Sequence, residues 1–170
     1  ISVTAPIKGW NVRDPLPMMT PDYGPVMDNV FCLPSELMVR KGYSKWATGF
    51  TGKAETLLEY NPLNGVQQMY AAVNNAGAVS IYDISTAGAV GAAKVSGLTN
   101  AIWEYINVTT AGGNYLYAVN GVDKPILFDG TTWVRVDAAS TPAITGVTTT
   151  TLSNVTLFKN RVWFIEKNTL

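Results

Sequence analysis

Met69-Tyr70-Ala71-Ala72-Val73-Asn74 is answered by Leu116-Tyr117-Ala118-Val119-Asn120, 47 residues further on. Val162-Trp163-Phe164-Ile165 repeats the theme 46 residues after that. Behind the first two copies stand Ile81-Tyr82-Asp83 and Leu127-Phe128-Asp129-Gly130, whose aspartates are also 46 apart. Self-similarity at a period in this range marks stacked or radially arranged units, of which the propeller blade is the commonest β-rich kind. Each unit carries an apolar face that it cannot bury alone, so its neighbours must cover it.

Working outward, the turn chemistry sets the element boundaries. Asn74-Asn75-Ala76-Gly77, Asn120-Gly121 and Asp129-Gly130 sit between apolar runs. Asn-Gly and Asp-Gly pairs suit tight hairpins because both central residues can adopt positive φ. The expected strands are 55–60, 67–73, 79–84, 101–108, 115–119, 125–128 and 133–136, with a turn over 110–114. Residues 85–97, rich in small side chains, read as an irregular strand with flanking loops, and 140–151 as a connector into a third unit. Along 115–119, Tyr115 and Tyr117 alternate with Leu116 and Ala118. Both faces are therefore apolar, which suits a sheet held between two others better than one open to water.

The opening residues differ. Pro6, Pro15, Pro17, Pro21 and Pro25 are five of the chain's nine prolines, and Pro34 follows soon after. Proline at this density excludes a continuous helix or a central strand and predicts an extended arm. Within it, 35–40 alternates enough to form a short strand, while 26–33 reads equally as a helical turn or an extended piece. The organisation expected is an all-β chain of antiparallel blade-like repeats, a partial β-propeller, behind a Pro-rich extended amino-terminal arm. The arm covers 1–45, the first repeat 46–97, the second 98–139, and a connector with an incomplete third repeat 140–170. A propeller usually needs four to eight blades. Two units and half of a third fall short of that, so the chain is expected to be the amino-terminal part of a longer protein, or else to be completed by other subunits.

Composition narrows the function. The 170 residues hold 12 basic and 12 acidic side chains, a formal charge of zero. Free nucleic acid is bound through clustered Lys and Arg, so contact with DNA is expected only as a wall or channel. No run approaches the roughly 18 apolar residues of a membrane span, and the first residues do not show the basic-then-apolar pattern of a signal peptide. Histidine is absent, which removes the commonest general base and metal ligand. No cofactor, metal or catalytic residue is expected. Asp83 and Asp129 at equivalent positions would suit a two-carboxylate glycosidase. The stronger reading makes each a turn-former that accepts nearby backbone N–H bonds. Tyr70, Tyr82, Trp103, Tyr105, Tyr117, Trp133 and Trp163 are expected to fill space between sheets rather than form a stacking platform. Gly112-Gly113 and the 121–124 stretch lack phosphate-loop spacing and read as turns. The single Cys32 excludes an intrachain disulfide and is expected to be a buried small hydrophobe.

The arm offers the candidate interface. Trp10, Arg13 and Asp14 place an aromatic, a guanidinium and a carboxylate in one extended stretch, the kind of group that anchors onto a neighbouring subunit. The alternative is that Arg13 and Asp14 fold back on their own domain.

Several stretches together resemble a known family. They are Gly9-Trp10-Asn11, Arg13-Asp14-Pro15-Leu16, Asp28-Asn29, Arg40-Lys41-Gly42-Tyr43, Gly52, Glu55-Thr56-Leu57, the 116–121 run and Phe128-Asp129-Gly130. They look like a virion structural protein of short-tailed bacteriophages and prophages, the tail nozzle or tail hub. The resemblance implies a non-enzymatic, propeller-bearing subunit of a homo-oligomeric ring, six-fold, whose lumen conducts the genome without specific DNA binding. It implies the portal, adaptor and other tail proteins as partners, with Trp10, Arg13, Asp14 and Arg40 at an interface. The location implied is the phage virion, assembled in the host bacterial cytoplasm, with no membrane insertion. The alternative is a carbohydrate-binding or glycan-cleaving propeller of a phage receptor-binding protein.

Overall fold

The computed structural model describes residues 4–167, which divide into two units, one up to Ser44 and one from Lys45. The fold is all-β and largely antiparallel, with no α-helix among the described residues.

In the first unit, β1 (Val30–Cys32) and β2 (Leu37–Val39) form a two-stranded antiparallel hairpin. The proline-rich residues ahead of it double back rather than run straight. Lys8 N–H donates to Asp22 O, Gly24 N–H to Gly9 O and Asn11 N–H to Gly24 O, at 2.9–3.0 Å. A single 3-10 turn, Leu16–Met18, lies between these partners. Cys32 is exposed, contrary to the sequence expectation. A two-stranded ribbon is too small to bury its own side chains, so the apolar look of Val30-Phe31-Cys32-Leu33 does not translate into burial.

The second unit opens with β3 (Ala47–Thr48), followed by β4 (Lys53–Tyr60), β5 (Gln68–Asn75) and β6 (Ala78–Asp83). Next come β7 (Gly88–Ala89) and β8 (Val95–Leu98). The second group is β9 (Glu104–Thr110), β10 (Gly113–Val119), β11 (Ile126–Phe128) and β12 (Trp133–Arg135). The last two are β13 (Leu152–Phe158) and β14 (Arg161–Glu166). The first sheet runs β4-β5-β6-β8 and the second β9-β10-β11-β12, two antiparallel meanders of the same order. β13 and β14 form a third, two-stranded sheet. β3 and β7 pair in parallel, which short-range pattern does not reveal, because each strand is only two residues long. The Ala76-Gly77 link between β5 and β6 has φ of 51° and 93°, the left-handed geometry that the Asn-Asn-Ala-Gly stretch predicted.

The two large sheets share one core. Leu58, Tyr60, Tyr70, Ala72, Val79 and Ile81 of the first meet Leu116, Ala118, Ile126 and Phe128 of the second. The other face of the second sheet, through Val119 and Ile106, packs on Leu152, Val155, Val162 and Phe164 of the third. The other face of the first sheet, through Ala71 and Val73, lies under Ala47, Phe50 and Val90. The strands thus stand as the sequence alternation required, with both faces of the second sheet covered.

One position repeats through all three sheets. Tyr70, Tyr117 and Trp163 occupy equivalent places in β5, β10 and β14. Tyr70 is buried against the second sheet, and Tyr117 is half-buried with its ring against Phe164 at 5.5 Å. Trp163 is 52% exposed, which departs from the inter-sheet filling expected of it.

Candidate assembly surfaces

Trp10, Arg13 and Asp14 sit in one bend of the first unit. Asn11 organises that bend: its Oδ1 accepts the N–H of Arg13 at 3.0 Å and of Asp14 at 3.3 Å, while its Nδ2 donates to Asp14 Oδ2 at 2.9 Å. This Asx arrangement fixes the backbone without using the Arg13 guanidinium. The Trp10 indole N–H donates to Pro25 O at 2.9 Å, so the ring is anchored at its polar end, yet it remains 69% exposed. Arg40 is not part of this bend. Its N–H donates to Asn29 O at 2.7 Å across the hairpin, and its side chain is exposed.

Sequence reasoning missed the larger feature of this unit. Gly24 is the only buried residue among the described residues up to Ser44. Val12, Leu16, Met18, Val26, Phe31, Val39 and Tyr43 are all exposed alongside Trp10. Lys8 and Asp22 pair at 2.6 Å, which raises the Lys8 pKa and lowers that of Asp22.

In the second unit the repeated aspartates serve turns. Asp83 Oδ1 accepts from the Ser85 N–H at 3.0 Å and its hydroxyl at 2.6 Å. Asp129 Oδ1 accepts from the N–H groups of Thr131 and Thr132 at 2.8 and 2.6 Å. Each carboxylate thus caps its own turn, as the turn-former reading expects, and Asp83 Oδ2 also lies 3.9 Å from Lys94 Nζ. No group of three or more acidic or cysteine side chains that could hold a metal occurs among the described residues.

Asp123 does something that the sequence did not disclose. Its carboxylate accepts the N–H groups of Thr99 and Asn100 at 2.9 and 3.1 Å, and Asn120 Nδ2 at 2.8 Å. Thr99 and Asn100 belong to the link between the two large sheets, so this turn residue pins that link. Burial pushes its pKa up, but the bonds from Asn120, Thr99 and Asn100 outweigh burial and leave it below the usual aspartate value. A spacing of 23–24 residues gives no short-range signal of such a contact.

Among the clefts of the second unit, two border the second sheet. A polar one of about 240 Å³ is lined by Lys94, Ser96, Trp133 and Arg135, and the Arg135 guanidinium donates to Ser96 O. An apolar one of about 360 Å³ runs between the second and third sheets, lined by Val108, Tyr115, Tyr117, Leu127, Pro142 and Val162. No helix among the described residues is long and apolar enough to cross a membrane. Comparison with protein-family profiles, with curated proteins and with solved structures finds no match for this chain.

Proposed function

We propose that this chain is a structural subunit of a short-tailed phage tail, part of a nozzle or hub ring through which the genome leaves. On this reading the stacked four-stranded sheets are blades of a partial propeller that builds the wall. The first unit docks on a neighbouring subunit or on the portal and adaptor rings, with Trp10, Arg13, Asp14 and Arg40 at the contact. The ring is six-fold, belongs to the virion and carries no enzymatic activity.

The observation that carries this reading is the uncovered apolar surface of the first unit. Trp10, Val12, Leu16, Met18 and Val26 are each about seven-tenths exposed, and such side chains gain roughly 25 cal/mol per Å² when a partner covers them. A heterologous contact of this sort, repeated, closes a ring when the rotation between copies divides a full turn. Zero formal charge also suits a lumen that must let DNA slide without gripping phosphates.

The test is the native mass of the chain with its tail partners present. Assembly into a closed ring supports the reading. A monomer that binds glycans with measurable affinity overturns it in favour of a receptor-binding propeller.

A further inference from the structure

The chain holds two Asn-Gly pairs, Asn64-Gly65 and Asn120-Gly121. Such a pair carries a latent reaction, in which the backbone nitrogen of the glycine attacks the asparagine Cγ. Glycine permits the approach because it has no side chain in the way and its backbone bends freely. Two conditions must be met. The side-chain amide has to swing toward the nitrogen, and the nitrogen has to be released from any competing bond. The fold treats the two pairs oppositely on both counts.

At 120–121 both reactants are held. Asn120 Nδ2 donates to Asn100 O at 3.1 Å and to Asp123 Oδ2 at 2.8 Å. Its Oδ1 accepts the N–H groups of Val122 and Asp123 at 3.0 and 2.8 Å. The nucleophile is engaged as well, since Gly121 N–H donates to Leu152 O at 2.8 Å. Reaction there requires this half-buried turn to open first.

At 64–65 neither reactant is held. The pair lies in the 61–67 loop between β4 and β5, and both residues are exposed. Among the described residues, the Asn64 side-chain amide and the Gly65 N–H have no hydrogen-bond partner. The loop is tied down on either side of the pair. Leu63 N–H donates to Asn114 Oδ1 at 3.1 Å, and Gln67 Nε2 donates to Asn61 Oδ1 at 3.0 Å.

We infer that Asn64 is a site of spontaneous deamidation, a self-modification from which the fold protects Asn120. Gly65 N forms a bond to Asn64 Cγ, the Cγ–Nδ2 bond breaks, and the proton of Gly65 N departs with the amide nitrogen as ammonia. Water then opens the succinimide ring at either carbonyl. One opening gives aspartate at position 64, and the other gives an isoaspartyl link with an extra carbon in the backbone. Water is the only co-reactant. Either product adds a carboxylate to a chain whose formal charge is zero. The isoaspartyl form also lengthens the loop beside Leu63, whose N–H holds Asn114 of the second sheet. The inference rests on bonds within the second unit and stands apart from the tail reading.

The experiment incubates the folded 170-residue chain in mildly alkaline buffer, where the attacking nitrogen loses its proton more readily. Peptide mass mapping with fragmentation follows each asparagine over time, and the same chain in denaturant supplies the unfolded rates. The expected result is that folding slows Asn120 by about ten-fold or more, because a protected site reacts only through local opening, while Asn64 stays close to its unfolded rate. Isoelectric focusing of the aged folded chain should show an acidic band that Asn64→Gln does not form at the same rate. The longer side chain keeps the amide but closes the corresponding ring far less readily, and Asn64 makes no bond for that change to remove. The inference is overturned if Asn64 stays intact in the folded chain, if folding slows the two asparagines equally, or if Asn64→Gln acquires the acidic band as fast as the parent.

Discussion

Tyr70 of the first large sheet stands edge-on to Phe128 of the second, ring centroids 5.3 Å apart and planes at 73°. Phe128 also stacks on Trp133 at 4.5 Å and meets Tyr60 at 5.0 Å, so it is the hub of an aromatic group that joins the two sheets. Replacing Phe128 with Ala should cost about 3–5 kcal/mol, through lost transfer energy and the cavity left in a packed interior. Tyr70→Phe keeps the ring and loses only the hydroxyl bond to Gln68, so about 1 kcal/mol is expected. Urea unfolding of the two variants should separate them clearly, and similar midpoints would show that the aromatic group does not hold the sheets together.

Asn107 of β9 clamps the same two sheets from their polar edge. Its Nδ2 donates to Glu59 O at 2.9 Å and its Oδ1 accepts the Asn61 N–H at 3.0 Å. Asn107→Ala should lower stability by about 1–2 kcal/mol and speed hydrogen exchange at Asn61. Unchanged exchange at that amide would count against the clamp.

Asp123 should make stability depend on acid. Its folded pKa lies below the unfolded value of about 3.9. The stabilisation is therefore complete above the unfolded value and disappears as pH falls through the folded one. Thermal melting between pH 2 and pH 7 should show a drop in this acid range that is shallower in Asp123→Asn. At pH 7 that variant should be less stable by about 1.5–3 kcal/mol, the range for hydrogen bonds to a charged group. Parallel acid profiles of the two proteins would refute the assignment.

Gly52 and Gly77 both have φ near +100°, at 104° and 93°. A Cβ on Gly52 would fall 2.3 Å from Asn74 O, whereas one on Gly77 meets nothing within 4 Å. Gly77→Ala should cost about 1–2 kcal/mol for the backbone conformation alone. Gly52→Ala should cost clearly more, because the clash is with backbone that cannot step aside. Equal losses in denaturant midpoints would rule out that close approach.

Trp10→Ala is the variant for the proposed ring. Its ring is 69% exposed, so its removal should change the melting temperature of the isolated chain little and reduce assembly with tail partners strongly. The opposite order would assign the residue to the fold of its own unit.

The repeat, the alternation within each strand and the Asn/Asp-Gly turns specify local conformation, and the sequence carries them openly. From them came the all-β class, the hairpin at 76–77, the strands around Tyr70 and Tyr117, and the turn role of Asp83 and Asp129. These depend on backbone sterics and on contacts a few residues apart. What only the tertiary structure decided depends on which layer covers which. Cys32 and Val39 lie on a two-stranded ribbon and are exposed, while equally apolar Val73 and Val119 are buried because another layer lies over them. Asp123 gained its role from a link two dozen residues away, and the parallel pairing of β3 with β7 arose from proximity rather than pattern. Burial is a property of the pair of surfaces, and one strand's sequence records only its own half of that pair.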